Sequence, residues 1–292
     1  MKENSLKHLI LRAEALMQTN WLHAIQLLES ATQLYPSNPR AYTSLGEFYL
    51  KRGLYSQAIE NLQTALKLQP DNNELKYMIA NCFFAKGDHK MAVIYYDQIK
   101  GPWHDVRYNK ALAMAFMDKP EESVAIIREL LSEVDHNPFI YFLMIEQLFK
   151  MRDFDSAEHY IQMAEQKTGF HSHLSILKAI LYSRKAIWLK AYDAYEMADK
   201  ANQIINVDQL YSFAYCAEKL GLFDKAIALY YRTLKENPYY ESCYEELVRL
   251  LIQKGELDKA EELLNKARTK LSSLNPMLKL LRSRLTKERD LS

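Results

Sequence analysis

The sequence has few of the residues that build disulfide frameworks and phosphate-binding loops. Its 292 residues include only three cysteines and seven glycines. Cys82, Cys216 and Cys243 are far apart and odd in number, which favours unpaired, buried thiols in a reducing compartment. The glycines do not show the short spacings of nucleotide-binding loops. We therefore expect neither a disulfide framework nor a nucleotide site.

An excess of charge of one sign is also lacking. Lys and Arg number 38 against 37 Asp and Glu, for a formal net charge of +1. This balance argues against binding of nucleic acid or a membrane surface, which is usually accompanied by a basic excess. No apolar run approaches the ~18 residues that a membrane-spanning helix needs, and the first residues lack the apolar core and cleavage site of a signal peptide. Together these absences predict a cytoplasmic protein.

Catalytic and metal-binding residues do not group in any recognisable spacing. The carboxylates fall at predicted helix starts, where they suit the helix dipole, or on polar outer faces. His136, His159, His171 and His173 lack a further ligand at metal-binding spacing, so we interpret them as exposed residues. The sequence therefore predicts a protein that is not an enzyme and that needs no cofactor and no metal.

What the sequence does contain is an alanine that recurs at nearly constant intervals. The intervals are 34, 34, 65, 34, 35 and 34 residues, and Ser123 stands in the middle of the double step. A period near 34 residues is typical of a two-helix unit that packs only on its neighbours in a solenoid. The recurring residues are Ala24, Ala58, Ala92, Ala157, Ala191, Ala226 and Ala260.

Residues 39–72 show the unit most clearly. One face of a first helix carries Tyr42, Leu45, Gly46 and Tyr49, Gly53 follows as a turn, and one face of a second helix carries Ala58, Leu62 and Ala65 before Pro70. This order of large, Leu-Gly, Tyr, Ala, Leu, Ala and Pro positions resembles the signature of the tetratricopeptide repeat (TPR) family. The resemblance continues, less completely, over about 270 residues.

The resemblance implies an all-α, right-handed solenoid of about eight helix-turn-helix repeats, forming a single domain over residues 1–292. In the fourth repeat Lys110 stands where Leu is expected, Pro120 falls near the start of the second helix, and Ser123 replaces Ala. The predicted repeats span residues 5–38, 39–72, 73–103, 104–137, 138–171, 172–206, 207–240 and 241–274, followed by a capping helix over 275–290.

Two interpretations of the capping helix remain open. Asn275 and Pro276 suit its start, and Leu278, Leu281 and Leu285 form an apolar stripe. The remaining face is basic, with Lys279, Arg282, Arg284, Lys287 and Arg289. The helix either solubilises the last repeat or offers a basic contact surface to an acidic partner.

In the TPR family the first helix of each repeat lines a concave groove. Carried over by register, the resemblance implies a groove that is polar at its ends and aromatic in its middle. The predicted peptide-binding residues are Tyr77, Asn81, Phe84, Tyr108, Asn109, Phe116, Phe139, Phe142, Phe149, Tyr211 and Tyr215. Exposed aromatic clusters mark interaction sites. The alternative is that these side chains pack between neighbouring first helices.

We therefore expect a non-catalytic scaffold or adaptor that binds an apolar or amphipathic segment of another protein in this groove. The chaperone-tail clamp of some family members is not expected, because Thr43, Tyr77 and Tyr108 stand where that clamp needs Lys. A second hypothesis is a homo-oligomer, such as a homodimer, that pairs through terminal repeats. Its contact would use the apolar residues Leu6, Leu9, Ile10, Leu16 and Met17 of the first helix.

Overall fold

The computed structural model describes residues 2–169, 171–202, 206–271 and 275–291. These residues form 17 α-helices and no strand, so the predicted all-α helical-repeat fold class is confirmed. The chain divides into two compact units, Met1–Met151 and Arg152–Ser292. The division falls in the turn inside the predicted fifth repeat, and each unit is described separately below.

The first unit consists of nine of the described helices, and each packs on the next along the chain. Asparagine side chains fix several first-helix starts: Asn38 accepts a hydrogen bond from the Arg40 N–H, and Asn72 accepts one from the Leu75 N–H. The helices are α1 (Lys2–Leu16), α2 (Trp21–Leu34), α3 (Pro39–Lys51), α4 (Tyr55–Leu68), α5 (Asn73–Ala85), α6 (His89–Tyr96), α7 (His104–Phe116), α8 (Pro120–Leu131) and α9 (Pro138–Lys150).

The second unit continues the alternation of first and second helices. The C-terminal helix packs on both helices of the last repeat, and it begins where Asn275 accepts a hydrogen bond from the Leu278 N–H at 2.8 Å. The helices of this unit are α10 (Phe154–Thr168), α11 (Ser172–Arg184), α12 (Trp188–Lys200), α13 (Val207–Lys219), α14 (Phe223–Glu236), α15 (Glu241–Gln253), α16 (Leu257–Lys270) and α17 (Pro276–Leu291).

The division of the chain into eight repeats stays a prediction, with which the helix bounds can be compared. Apart from the start of α1, two helices fall within the bounds of each predicted repeat. Pro120 is the first residue of α8, the position where a helix tolerates proline. Helix α17 lies where the capping helix is predicted. The predicted repeat segments at residues 203–205 and 272–274 lie outside the described residues. The hydrophobic positions of the repeat therefore locate the helices in each unit.

The recurring small residue of each second helix lies in the core. All seven periodic alanines are fully buried. Ser123 is fully buried as well, and its hydroxyl donates to the Ala111 carbonyl at 2.8 Å, so the extra polar group is satisfied. At Gly46 a β-carbon would lie 2.6 Å from Leu62 Cγ, which explains why the predicted close-packing position holds glycine.

In all predicted repeats but the first, the turn between the two helices contains a residue with left-handed backbone. Gly53, Gly87, Gly221 and Gly255 have φ between +72° and +87°, a region that glycine adopts without steric cost. In the intervening repeats the same turn is made by Asp118, Arg152 and Ala186, with φ of 56°, 58° and 56°. Three repeats therefore keep this turn without glycine.

The cysteines behave as small core residues. Cys82, Cys216 and Cys243 are free and fully buried. Burial raises the pKa of the Cys82 thiol to about 11 and also raises that of Cys216. Because the thiolate is the reactive form, these side chains contribute packing and are poor nucleophiles near neutral pH.

Candidate functional site

In the first unit, a hydrogen-bonded polar network joins α5, α6 and α7. The Asn109 amide donates to the Tyr77 hydroxyl at 3.1 Å and to Asn81 Oδ1 at 3.3 Å. The Tyr96 hydroxyl donates to the same Asn81 oxygen at 2.6 Å. Tyr77, Asn81 and Asn109 are only half-buried. They therefore fix the spacing of neighbouring first helices and also leave part of each side chain accessible.

An aromatic patch lies at the C-terminal ends of α5 and α7. The Phe116 ring stacks on the His89 ring at 4.9 Å and meets the Phe84 ring edge-on at 5.7 Å. Phe116 is nevertheless 62% exposed. We call Phe84, His89 and Phe116 the aromatic patch. A large apolar surface of this kind on a packed helical scaffold is available to bury against another molecule.

On α9 the predicted aromatic residues differ widely in exposure. Phe139 is 57% exposed and Phe149 is half-buried, but Phe142 is only 5% exposed. The Phe142 ring packs edge-on against Phe139 at 5.9 Å. The burial of Phe142 favours the alternative that this side chain packs within the protein, and its role as a peptide contact stays a prediction.

Tyr108, on α7, is also a predicted contact residue of the first unit, and its side chain is half-buried. Burial raises the pKa of its hydroxyl, and the nearby carboxylate of Glu146 raises it further. The hydroxyl therefore stays protonated at neutral pH and can donate a hydrogen bond. Tyr108 thus adds a polar donor to a face that is otherwise rich in phenylalanine.

In the second unit an open pocket of about 390 Å³ lies between α11, α12 and α13. Trp188, Tyr211 and Tyr215 supply its aromatic walls, and the Trp188 and Tyr215 rings meet edge-on at 5.7 Å. Arg184 and Asp208 place opposite charges in its lining. We call this the α11–α13 pocket. Apolar walls with a few polar groups are typical of sites that hold a side chain or a small ligand.

The two predicted tyrosines of this pocket belong to a larger ring cluster. Tyr211 lies 5.2 Å from Tyr240, 5.7 Å from Tyr230 and 6.5 Å from Tyr215 between ring centroids. Burial raises the pKa of Tyr211, with a further contribution from Glu246. The Lys219 ammonium lies 4.7 Å from the Tyr215 ring. Both tyrosines are half-buried, so each has one side in the core and one at the surface.

An ion-pair network supports the tyrosine cluster from α15. The Tyr230 hydroxyl donates to Glu218 Oε2 at 3.0 Å, and Arg249 pairs with Glu218 and with Glu246, the latter at 2.8 Å. The Glu218 side chain is 8% exposed, and a buried carboxylate is stable only when it is paired. The network therefore holds α13 and α15 in register behind the pocket.

The binding residues predicted from the sequence did not include aromatic side chains on second helices or at the N-caps of first helices. Trp188 begins α12, His89 begins α6 and Trp103 precedes α7, whereas the register considered only positions inside first helices. The Trp103 ring lies 6.1 Å from Tyr77. The available signal was the aromatic side chain three positions before the periodic alanine, as in Trp188 before Ala191 and His89 before Ala92.

Two further features of the described part of the chain bear on function. Among these residues, none of the helices has both the length and the apolar character needed to cross a membrane. Within the same residues, no group of three or more His, Cys, Asp or Glu side chains is placed to hold a metal ion.

Family models described as tetratricopeptide repeat match three stretches of the chain. They cover residues 14–60, 49–104 and 218–285, which together exceed half of its length. Among curated proteins, the bovine BBSome complex member BBS4 is 25% identical over 222 residues, 71% of this chain and 41% of that protein. The chain thus spans less than half the length of the curated relatives it matches.

Solved structures show the same fold. The C-terminal part of a repeat protein from Cytophaga hutchinsonii superposes with a TM-score of 0.64 at 12% identity, covering 80% of this chain and 97% of that one. YrrB, described as having an unusual peptide-binding site, gives a TM-score of 0.50 at 14% identity, covering 59% of this chain and 90% of its own. At these identities the likeness establishes the fold alone.

Proposed function

The chain belongs to the tetratricopeptide repeat family, and we propose that it binds an apolar or amphipathic segment of another protein through its first-helix faces. Repeat proteins of this family act as protein–protein interaction scaffolds and are typically not enzymes. The observation that supports binding of an apolar segment most directly is the aromatic patch. Most of the Phe116 side chain is accessible, and its ring is held in place by contacts with His89 and Phe84.

An accessible aromatic ring contributes favourable binding free energy when a partner covers it, which is why the aromatic patch points to binding. An aromatic side chain buries a large area and has few rotatable bonds to immobilise. Phe139, also on a first helix, adds a second accessible ring. In the second unit, the α11–α13 pocket supplies Trp188 and Tyr215 as walls for one apolar side chain. The two units are proposed as separate contact surfaces.

Homo-oligomerisation through the first helix has less support. Leu6 and Ile10 are buried in the core of their own unit, and Leu9, Leu16 and Met17 pack against that core. Pairing through these residues would require α1 to detach from its repeat. A second copy would therefore have to use other residues, and we favour binding of a different protein.

A peptide titration tests the proposal. Peptides selected by display against the whole chain would be synthesised and titrated by calorimetry against the wild type and a Phe116→Ser/Phe139→Ser variant. Loss of two accessible rings should weaken binding about tenfold or more. The matched control is Leu34→Ser/Leu189→Ser, which changes two residues of similar exposure on second helices. Equal affinity for all three proteins would overturn the proposal that the accessible rings of the first unit contact the peptide.

A further inference from the structure

The C-terminal end of the second unit carries a shallow groove lined only by cationic and hydroxyl side chains. It lies between α16 and α17, and its lining residues are Arg268, Lys279, Arg282, Ser283 and Thr286. We call it the basic groove. All five side chains are exposed, so the groove is a surface feature distinct from the aromatic patch and the α11–α13 pocket.

The cations of the basic groove are not neutralised by the protein. Two other cations of α17 have partners: Arg289 contacts Asp258 at 2.6 Å, and Arg284 lies 3.8 Å from Glu288. Among the described residues, the side-chain nitrogens of Arg268, Lys279 and Arg282 make no hydrogen bond or ion pair. Three like charges therefore face one groove without a counter-charge.

Helix stability does not account for this arrangement. Arg268 lies in the last turn of α16, where a cation suits the negative end of the helix dipole. Lys279 lies in the first turn of α17, which contains no acidic residue, and a cation there opposes the dipole. Lys279 and Arg282 are also like charges three residues apart, which is unfavourable on a helix. The positions of Lys279 and Arg282 therefore lower the stability of α17.

The C-terminal end of the chain is strongly net positive. Residues 264–292 contain eight Lys or Arg and two acidic residues, a net charge of +6, whereas the whole chain carries +1. The remaining residues are therefore net acidic by five charges. A polyanion would therefore be attracted to the C-terminal residues that contain the basic groove.

We propose that the basic groove binds a short, extended acidic segment of a partner protein, rich in Asp and Glu. Carboxylates of the segment would pair with Arg268, Lys279 and Arg282, and the Ser283 and Thr286 hydroxyls would donate hydrogen bonds. A nucleic acid fits less well, because it is a long polyanion and the residues outside 264–292 carry a net charge of −5. A membrane surface fits less well too, because the apolar stripe of Leu278, Leu281 and Leu285 is buried in the core, which leaves Met277 and Leu280 as the exposed large apolar residues among the described side chains of α17.

The test uses the whole chain and a fluorescein-labelled peptide of alternating Glu and Ser, with a Gln-for-Glu peptide of equal length as the neutral probe. Fluorescence anisotropy would be measured at low and at moderate salt. The key variant is Arg268→Glu/Lys279→Glu/Arg282→Glu. Its matched control, Lys67→Glu/Lys86→Glu/Lys90→Glu, makes the same change in net charge at exposed positions of the first unit.

We expect salt-sensitive binding of the acidic peptide only, about tenfold weaker in the groove variant and changed less than twofold in the control. Circular dichroism would show that both variants are folded. Equal losses in the two variants would overturn the proposal, because net charge alone would then explain binding. So would failure to prefer the acidic peptide over the neutral one, or tighter binding of a single-stranded oligonucleotide or of phosphatidylserine vesicles.

Discussion

At the scale of single residues, the inter-helix turn shows where the sequence departs from what the backbone prefers. Ala186 has φ of 56° and an exposed side chain, in the same turn where other repeats use glycine. A non-glycine residue in this region costs about 1–2 kcal/mol. The turn is kept because the helices on both sides are held by their own packing.

Ala186→Gly should raise the free energy of unfolding by about 0.5–1 kcal/mol. The gain from removing steric strain exceeds the greater entropy of glycine in the unfolded chain. Urea unfolding followed by circular dichroism would measure it. The reciprocal change Gly221→Ala, at φ of 74°, should lower the free energy by a similar amount, and an increase there would contradict this account of the turn.

Alkaline pH should destabilise the second unit through a buried tyrosine. Burial raises the pKa of Tyr195 to about 12 from its usual 10.0, against a smaller opposing effect of hydrogen bonds from Ser212 and Ser183. Below pH 10 the hydroxyl is protonated in both folded and unfolded chains. Between pH 10 and 12 only the unfolded chain ionises, so the free energy of unfolding falls by up to about 2–3 kcal/mol.

Urea unfolding across this pH range would check the effect. Tyr195→Phe should make the decline shallower without abolishing it, because it removes one of several tyrosines of this unit, including Tyr211 and Tyr230, whose pKa values burial raises. Tyr239→Phe, at a 66% exposed position, is the matched control and should leave the decline as in wild type. If Tyr195→Phe declined as steeply as wild type, ionisation of Tyr195 would not be the cause.

The sequence could not predict which of the aromatic side chains are exposed to solvent. Phe139 and Phe142 lie three residues apart on α9, and the register placed both on the binding face. Phe142 is buried and Phe139 is exposed, because exposure depends on how neighbouring helices cover the face. The positions of the small residues, by contrast, were predictable, because the repeat requires close contact at the same point each time.

At the scale of helices, most of the fold was predictable. Helix starts follow from Asn caps and from Pro in the first turn, as at Asn38, Asn137 and Pro138. Even the fourth repeat, with Ser123 in place of Ala, keeps both helices, since the buried hydroxyl bonds to a backbone carbonyl. Trp188 and Trp103 were not predicted as site residues, because only positions inside first helices were considered. Trp188 is the first residue of the second helix α12, and Trp103 is the N-cap of α7.

The C-terminal helix α17 should stabilise the last repeat through its apolar stripe. Leu278 is fully buried in the core of the second unit. Leu278→Ala should lower the free energy of unfolding by about 2–5 kcal/mol, because it leaves a cavity between α17 and the helices α15 and α16. Leu280→Ala, at a 63% exposed position two residues later, should change it by less than about 0.5 kcal/mol.

Urea unfolding of both variants would distinguish a packed cap from a loosely attached one. Equal stability of Leu278→Ala and wild type would mean that α17 does not contribute to the core. The same comparison bears on the basic groove, since the groove requires α17 to be held against α16.

At the scale of the whole molecule, the central claim is that first helices form the binding face. In the first unit this face carries the aromatic patch and the Tyr77–Asn81–Asn109 network. In the second unit it carries the α11–α13 pocket. Second helices mainly supply the alanines that allow close packing, and they also have isolated exposed apolar residues such as Leu34 and Leu189. Isolated exposed residues of this kind are normal for soluble proteins.

The measurement that tests this claim most directly is photo-crosslinking of a display-selected peptide that carries a benzophenone side chain, with the linked residues identified by mass spectrometry. The account predicts crosslinks on α5, α7 and α9, or on α11 and α13, with competition by unlabelled peptide. Crosslinks that are competed equally well but fall on second helices such as α2, α4 or α14 would contradict it.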